Sequence, residues 1–559
     1  MQLAGGANLI REPRGGRNVE YLSEDPLLTG IMAGHSVAGI QAQGVVSTVK
    51  HFVANGQETG RVMVSANLAE AALRESDLLA FQIAIEIRKP GAVMPGYNLI
   101  NGHYASENAF LLQQLLEDEW GYPGWVMSDW GATHSTVKGV LAGLDVQSGA
   151  NLDDAHYFGQ ALRDAVRDGQ VPHSRIDDMV PRILTSLIDV GALGAQPTED
   201  RMQPIDFSHH KLIAQRQAEE RIVLLTNRDA TLPLPQRLAR LLIVGELADH
   251  GVLCGGGSSA VTPIGSLQLS GTSIMGMDVA KVVQPSSLVT AIEEESGARE
   301  VVFVDGTDRK QVLDAARKAD AVIVFAQEWR SEGLDAVAGV LLGRVNPSGR
   351  LPVTFPASEA QLPRPGQIDP ETTASNPATP RKGGIIPLDY DIEGSDVGYR
   401  WFAREGHEPL FPFGFGLSYT TLELTGLQLS VNGRYTASVE VTNAGTRTGR
   451  SWCGSMLPNL ASTASSSAWP ASPKRRWPPQ NGAASRSTSN RASLRAAWWT
   501  ALGRVSSSNP ASTVYGRRSM PVTTHSGRMS QSTRSAASRP SLRPARRAGA
   551  APQPENRRR

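Results

Sequence analysis

The chain has 559 residues, 40% of them hydrophobic and 19% charged, enough for about three or four domains of ~150 residues each. No apolar run reaches the ~18 residues a membrane span needs, and two cysteines, Cys254 and Cys453, exclude both a disulfide framework and a cysteine metal cluster. The net charge of +1 hides an asymmetry: after Arg450 the only acid is Glu555 and the only lysine Lys474, among many arginines, so that tail carries about +17 and the body about −16. An acidic body argues against nucleic acid as the partner of the folded part.

The opening residues, Met1 to Gly6, lack the charged start and apolar middle of a signal peptide. The expectation is a cytoplasmic protein or a chain whose true beginning lies upstream. The stretch Asn8 to Tyr21 is loop-like and dense in charge. Asp25-Pro26 then starts a helix, the aspartate as N-cap and the proline at the first helical position, with Leu27, Leu28, Ile31 and Val37 on the buried side. Val45 to Val49 reads as a strand ending in Lys50-His51-Phe52. A long helix is expected over Leu68 to Arg88, capped by Asn67 with Glu70 three residues on, and Gly91 to Met94 is the next strand, ending in Pro95-Gly96-Tyr97-Asn98.

Phe110 to Trp120 has helical spacing, with Leu111, Leu112, Leu115 and Leu116 on one side and Gln113, Gln114, Glu117 and Asp118 on the other. A Gly121-Tyr122-Pro123-Gly124 turn leads to Trp125-Val126-Met127, a buried strand that ends in Ser128-Asp129-Trp130. Gly143 to Val146 is another strand end, followed by helical segments through Leu184. Helix, turn, apolar strand and polar tip is the unit of a parallel α/β fold, in which catalytic groups sit at the carboxyl ends of strands. The units are too few for a full barrel of eight.

Gly194 to Lys211 reads as a linker. A second α/β pattern begins at Leu212, with strands at 241–244, 301–304 and 321–325. Between the first two lies Gly255-Gly256-Gly257-Ser258-Ser259, which has neither a Gly-Lys-Ser/Thr ending nor GxGxxG spacing and reads as a plain glycine turn, not a nucleotide site. Pro356 to Asp396 is Pro-, Thr- and Gly-rich and expected to be extended. Tyr435 to Asn443 alternates as a strand of a small antiparallel β domain that stops at Arg450. Ser451 to Arg559 cannot bury enough apolar surface to offset its chain entropy and is expected to be without structure. We read the break at Arg450 as a change of translated frame inside the β domain, a hypothesis that fails if neither alternative frame of the coding DNA continues the β pattern.

If the strand ends converge, one rim holds Arg17, Lys50, His51, Tyr97 and Asp129, with Trp130 beside the carboxylate. Cations and donors around one acid, with an aromatic wall, suit a polyhydroxylated ligand such as a sugar ring. Cleavage of a glycoside with retention needs a second carboxyl about 5–5.5 Å away; Glu332, on a loop after the 321–326 strand, is the candidate supplier, with Glu328 as its competitor. Each residue also has a plainer reading: Asp129 as a turn or cap residue, His51 as a structural histidine, Arg17 as a surface residue and Tyr97 as part of a core.

These residues resemble family 3 of the glycoside hydrolases, the β-glucosidases and β-xylosidases. The matching pieces are Gly16-Arg17-Asn18-Val19-Glu20-Tyr21-Leu22-Ser23-Glu24-Asp25-Pro26, Lys50-His51-Phe52, the stretch Met94 to Gly102, and Val126-Met127-Ser128-Asp129-Trp130. Gly255 to Pro263, Asn346 to Pro356 and Phe411 to Tyr419 match further along.

The resemblance implies an incomplete (β/α) TIM-type barrel over 1–193, a linker at 194–211, an α/β sandwich domain over 212–356, a linker at 357–395, a partial fibronectin type III-like domain over 396–450 and a disordered tail over 451–559. It implies Asp129 as nucleophile, Glu332 as acid/base, and Arg17, Lys50, His51, Tyr97 and Trp130 as contacts to the sugar. It also implies a β-glucoside or oligosaccharide substrate and no metal or cofactor.

Three departures stand out. The family's earlier barrel strands, with an aspartate that binds sugar hydroxyls, have no counterpart here; Ala336 to Gly343 runs directly into the Asn-Pro-Ser-Gly-Arg motif; and the β domain is cut at Arg450. An inactive remnant, at most weakly sugar-binding, is therefore the competing expectation. A β-xylosidase is a lesser one, as is a β-N-acetylglucosaminidase, whose Lys-His motif runs on into Pro-Gly-His-Gly where this chain has Phe52-Val53-Ala54-Asn55-Gly56. A basic-tail nucleic-acid binder is the third class, marked by steep salt dependence.

Overall fold

The computed structural model describes residues 1–3, 5–193, 205–251, 265–274, 277–283, 287–326, 346–366, 384–431, 435–447, 449–451, 475–477 and 496–498. In chain order the first part runs β1 (Gly6–Leu9), β2 (Tyr21–Ser23), α1 (Pro26–Gln41), β3 (Thr48–Phe52), β4 (Val64–Asn67), α2 (Glu70–Glu75), α3 (Asp77–Ile87), β5 (Ala92–Pro95), β6 (Leu99–Ile100), β7 (His103–Tyr104), a π-wound helix (Phe110–Glu119) and β8 (Trp125–Val126). Helices α4 (Val137–Ala142), α5 (Gln160–Arg167) and α6 (His173–Asp189) follow.

Five strands form one all-parallel sheet in the order β2-β1-β3-β5-β8, and a parallel bridge from Met127 to Val146 carries the arc one position further. This is the TIM-like part of the chain. Parallel strands need crossover helices and are covered on both faces. Accordingly Ala7, Val49, Phe52, Val93 and Val126 are buried, in one cluster with Phe81 of α3 and Leu111, Leu112, Leu115 and Leu116 of the π-wound helix.

Sequence logic holds at the start of α1: the Asp25 side chain accepts from the Leu28 amide at 2.8 Å and Pro26 opens the helix. It fails in three places. The strand expected over 45–49 lies at 48–52, so Lys50 and His51 belong to β3 itself. The single helix expected over 68–88 is two, broken at Ser76 (φ −124°, ψ −95°). Arg11 reaches in at the break, donating to Ser76 Oγ at 2.8 Å and to Asp77 Oδ2 at 2.6 Å, and Asn67 is the end of β4, not a cap. Finally, Glu117 is buried and not on the solvent face. The helix is wound with wider i−5 bonds, such as Trp120 N to Leu115 O at 2.9 Å, which rotates its later positions away from the α-helical wheel. Arg182 of α6 meets Glu117 at 2.8 Å.

The helix α7 (Phe207–Arg221) begins inside the stretch expected to be a linker at 194–211, its start capped by Asp206, which accepts from the His209 amide at 2.9 Å; beyond it, the three strands expected in the second α/β pattern are all found. β9 (Arg240–Val244) is central. The hairpin β10 (Leu267–Ile274) and β11 (Met277–Val283) comes next, then α8 (Leu288–Glu295), β12 (Glu300–Val304), α9 (Arg309–Ala316) and β13 (Ala321–Val324). The parallel order is β12-β9-β13, and Leu241, Ile243, Leu288 and Ile292 form its core. These are sandwich elements of the α/β class.

The Pro-rich stretch at 357–395, expected to be a linker, supplies β14 (Ile386–Asp389), which pairs in parallel with β4 in a second sheet ordered β14-β4-β6-β7. Ile386 packs against the Val62, Met63, Tyr97 and Ala132 cluster, and Leu388 against the main core. The alternation of two apolar residues is too short to be legible among prolines. After β14, α10 (Tyr399–Glu405) docks on the start of α1: Glu24 accepts from the Thr354 amide (2.8 Å), Thr354 Oγ1 (2.6 Å) and the Tyr399 amide (2.8 Å), and Asp25 accepts from the Tyr399 hydroxyl at 2.8 Å.

An antiparallel pair, β15 (Leu422–Val431) and β16 (Tyr435–Asn443), includes the strand expected at 435–443. β17 (Gly449–Ser451) pairs with β18 (Arg475–Trp477), and β19 (Ala496–Trp498) with β16. These last two triplets fall in the stretch expected to be without structure. The rest of that stretch, the glycine run 255–259 and both cysteines lie outside the described residues. Among the described residues no helix is long and apolar enough to cross a membrane.

Candidate active site

The carboxyl ends of β3, β5 and β8 converge on Asp129. The strand Trp125–Val126 is pinned from behind: Asp145 Oδ2 accepts the Val126 amide at 2.8 Å, and Arg175 of α6 holds the other oxygen of Asp145 at 2.6 Å. Asp129 follows this fixed strand, and its Oδ1 accepts the Trp130 amide at 2.8 Å. The residue is 7% exposed, and its Oδ2 is buried with no hydrogen bond of good geometry. His51 Nε2 lies 3.4 Å from that oxygen.

His51 is held on every side. Its amide donates to Asn8 Oδ1 and its carbonyl accepts from Asn8 Nδ2, both at 2.8 Å, and the Tyr21 hydroxyl stands 3.4 Å from Nδ1. Burial, then the cations Arg17, Lys50 and Arg61, push its pKa well below the ordinary histidine value, so the ring is neutral at pH 7. A carboxylate accepts and cannot donate, so the tautomer that engages Asp129 carries its proton on Nε2.

The cations are themselves tethered. Arg17 donates to Glu20 from Nε (2.9 Å) and Nη2 (2.7 and 2.8 Å), and Lys50 Nζ lies 3.6 Å from Glu20 Oε2. Burial works against the charge on Arg17, but its acidic neighbours, Glu20 and Glu58 among them, raise its pKa overall. Tyr97 is buried, and burial, reinforced by the charge of Asp129, raises its pKa. The Trp130 ring lies against Gly149, which has φ +60° and where any Cβ would overlap indole atoms.

The structure thus brings Arg17, Lys50, His51, Tyr97, Asp129 and Trp130 into one neighbourhood. Glu332, and its competitor Glu328, lie outside the described residues. Sequence reading missed Arg61, whose guanidinium stacks 4.2 Å over the Tyr97 ring and bonds Glu58 at 3.0 Å. The signal was present, since Arg61 stands ten residues after His51 in a charged loop, but a loop arginine has no periodicity to betray it. Around the rim, Asn55 Oδ1, Glu58 Oε1, Arg61 Nε and Asn98 Oδ1 join Asp129 Oδ2 as buried polar atoms without a hydrogen bond. Each such group costs about 1–3 kcal/mol when left unpaired.

One group of carboxylates, Glu117, Asp145 and Asp178, has ligand atoms within 4.8 Å of one another. Arg175 and Arg182 already bond all three at 2.6–2.9 Å, so the cluster is an ion-pair network that ties α6 to the barrel, with its cations built in.

The model of the glycosyl hydrolase family 3 N terminal domain matches residues 1–186, and that of the C-terminal domain matches 222–337 and 331–419. The chain belongs to glycoside hydrolase family 3. It is 31% identical over 520 residues to thermostable beta-glucosidase B of Acetivibrio thermocellus, covering 80% of this chain and 64% of that protein. It is 32% identical over 502 residues to an exo-alpha-(1->6)-L-arabinopyranosidase of Bifidobacterium longum, covering 79% and 63%. The chain thus spans less than two thirds of either relative. Among solved structures, the beta-D-glucoside glucohydrolase of Trichoderma reesei superposes with a TM-score of 0.68 at 25% identity, covering 86% of this chain and 78% of that one.

Proposed function

We propose that this family 3 chain is a retaining exo-β-glycosidase of the β-glucosidase type. It removes terminal, non-reducing β-D-glucosyl residues from β-glucosides or oligosaccharides by double displacement. The observation that carries the reading is the Asp129 carboxylate: buried at a strand end, one oxygen fixed by the Trp130 amide, the other facing the neutral imidazole of His51 at 3.4 Å. An oxygen in that state is a nucleophile ready to attack an anomeric carbon.

In the first displacement Asp129 Oδ2 forms an ester with the anomeric carbon while Glu332 protonates the departing glycosidic oxygen. In the second, Glu332 takes a proton from water, the water oxygen bonds to the anomeric carbon, and the ester breaks with inversion, so that configuration is retained overall. Arg17, Lys50, His51 and Tyr97 hold sugar hydroxyls, and Trp130 forms the apolar wall on which a pyranose face packs. Arg61 joins them through Tyr97.

Purified chain assayed on p-nitrophenyl β-D-glucopyranoside and β-D-xylopyranoside, beside Asp129→Asn, tests this. Turnover of the glucoside that vanishes in the variant is expected, and undiminished turnover in Asp129→Asn overturns the assignment. A folded chain without hydrolysis on either substrate favours the inactive-remnant reading. The Bifidobacterium relative favours a second substrate, so p-nitrophenyl α-L-arabinopyranoside belongs in the same series; a higher kcat/KM on it than on the glucoside replaces glucose in the proposal.

A further inference from the structure

We infer that Glu20 is a positioning residue of the sugar site, a single carboxylate that sets the orientation of Arg17 and Lys50 together. The inference rests on the β-glycosidase reading and adds a residue to it.

The geometry begins with a short 3-10 turn, Asn18–Glu20, immediately before β2. The turn places Arg17 and Glu20 three residues apart on the same side, where the guanidinium grips the carboxylate through Nε and Nη2 at 2.7–2.9 Å. Such a fork fixes both the position and the plane of the guanidinium, which a single contact does not. The same carboxylate faces Lys50 Nζ at 3.6 Å. Lys50 comes from β3, on the far side of β1, so Glu20 bridges two strands that are not neighbours in the sheet.

Gly6 makes that reach possible. It is the β1 residue in register with both Tyr21 and Lys50, and a Cβ there would stand 2.5 Å from the Glu20 carbonyl oxygen. The side chains of Arg17, Glu20 and Lys50 are all largely buried, 8%, 12% and 13% exposed. Two buried cations so close together repel unless an anion stands between them, and here it is Glu20. On the other flank Glu58 serves Arg61 at 3.0 Å and approaches Arg17 at 4.0 Å. Among the described residues, the cations Arg17, Lys50 and Arg61 thus stand beside the carboxylates Glu20, Glu58 and Asp129, around a neutral His51.

The test compares wild type, Glu20→Gln and Glu20→Asp, each checked for folding by circular dichroism. Glu20→Gln keeps shape and loses charge. It is expected to lower kcat/KM for p-nitrophenyl β-D-glucopyranoside by about 100-fold, the effect of loosening a positioning group. Most of that loss is expected in KM, with a matching loss of glucose affinity by calorimetry. Glu20→Asp keeps the charge on a shorter arm and is expected to recover part of both. Peptide mass spectrometry gives a readout independent of sugar: acylation of Lys50 by an N-hydroxysuccinimide ester and modification of Arg17 by phenylglyoxal both speed up severalfold in Glu20→Gln. Unchanged labelling at both sites, or KM and glucose affinity within twofold of wild type in an active enzyme, overturns the inference. If wild type neither cleaves the glucoside nor binds glucose, the functional reading falls, and the labelling alone decides whether Glu20 is the clamp.

Discussion

His51 Nε2 and Asp129 Oδ2 stand 3.4 Å apart, one at the end of β3 and the other just past β8, with β5 between them in the sheet. The pair exists only because two strands remote in sequence end at the same level. Burial and three nearby cations keep the imidazole uncharged, so it meets the carboxylate as a neutral donor. His51→Gln is therefore expected to lower kcat/KM on an aryl β-glucoside by about 10- to 100-fold evenly between about pH 5.5 and 7.5. Parallel pH–rate profiles for variant and wild type are the check; a loss confined to pH below about 6.5 would identify the imidazolium as the working form.

Trp130 owes its place to a residue without a side chain. Gly149 sits at φ +60°, and any Cβ would overlap the indole. Gly149→Ala carries both backbone strain and a clash, and is expected to cost about 1–3 kcal/mol in a urea melt. It is also expected to shift the tryptophan fluorescence and raise KM. A variant with wild-type melt and KM would show that the ring is not held there.

Glu24 makes the docking of Thr354 and Tyr399 sensitive to pH. Burial raises its pKa from the ordinary 4.5 to about 7, against the pull of its three hydrogen bonds. The folded state thus holds the proton more tightly than the unfolded chain does. Stability from this group is fully present below about pH 4.5 and is lost as pH rises to about 7, on the order of 3 kcal/mol in all. Melting temperatures of wild type and Glu24→Gln, measured across that window, should converge or cross because only the wild type declines on this account. Parallel curves would refute the assignment.

Arg11 closes the other half of that contact. Its guanidinium, fully buried, meets Asp77 at 2.6 Å and Glu393 at 2.8 Å, and both Arg11 and Arg364 lie over the Tyr390 ring, at 5.1 and 4.5 Å from its centroid. Arg11→Ala leaves the buried Asp77 without its cation, with only the Ser76 hydroxyl still donating to it, while Glu393 keeps Arg364, and is expected to cost about 3–5 kcal/mol in chemical unfolding. Arg74→Ala, whose partners Glu70 and Glu119 are exposed, should cost about 1 kcal/mol or less.

Local chemistry was legible without a structure where it is written in neighbouring residues. The Asp25-Pro26 start of α1 rests on a cap and a fixed φ, both properties of adjacent positions. The leucines of 110–119 and the apolar run at 241–244 announce burial by composition; the run at 321–324 does form a strand, but an edge one, with Val322 and Val324 exposed. The polar tips after the strands, Tyr97 and Asp129, followed from the rule that parallel strands present their ends to a site, whereas His51 lies within β3 itself. Tertiary structure alone decided the rest, because those decisions depend on who arrives from far away. Ser76 interrupts a helix because Arg11 enters there. Glu117 turns inward because Arg182 meets it. The 386–389 segment becomes a strand because β4 offers a free edge. Arg61 joins the site because Tyr97 lies beneath it, and Glu20 because Gly6 leaves β1 low enough for one carboxylate to reach both Arg17 and Lys50. Long-range ion pairs and edge pairing have no local period, so the sequence names the chemistry at the rim while only the fold fixes its partners.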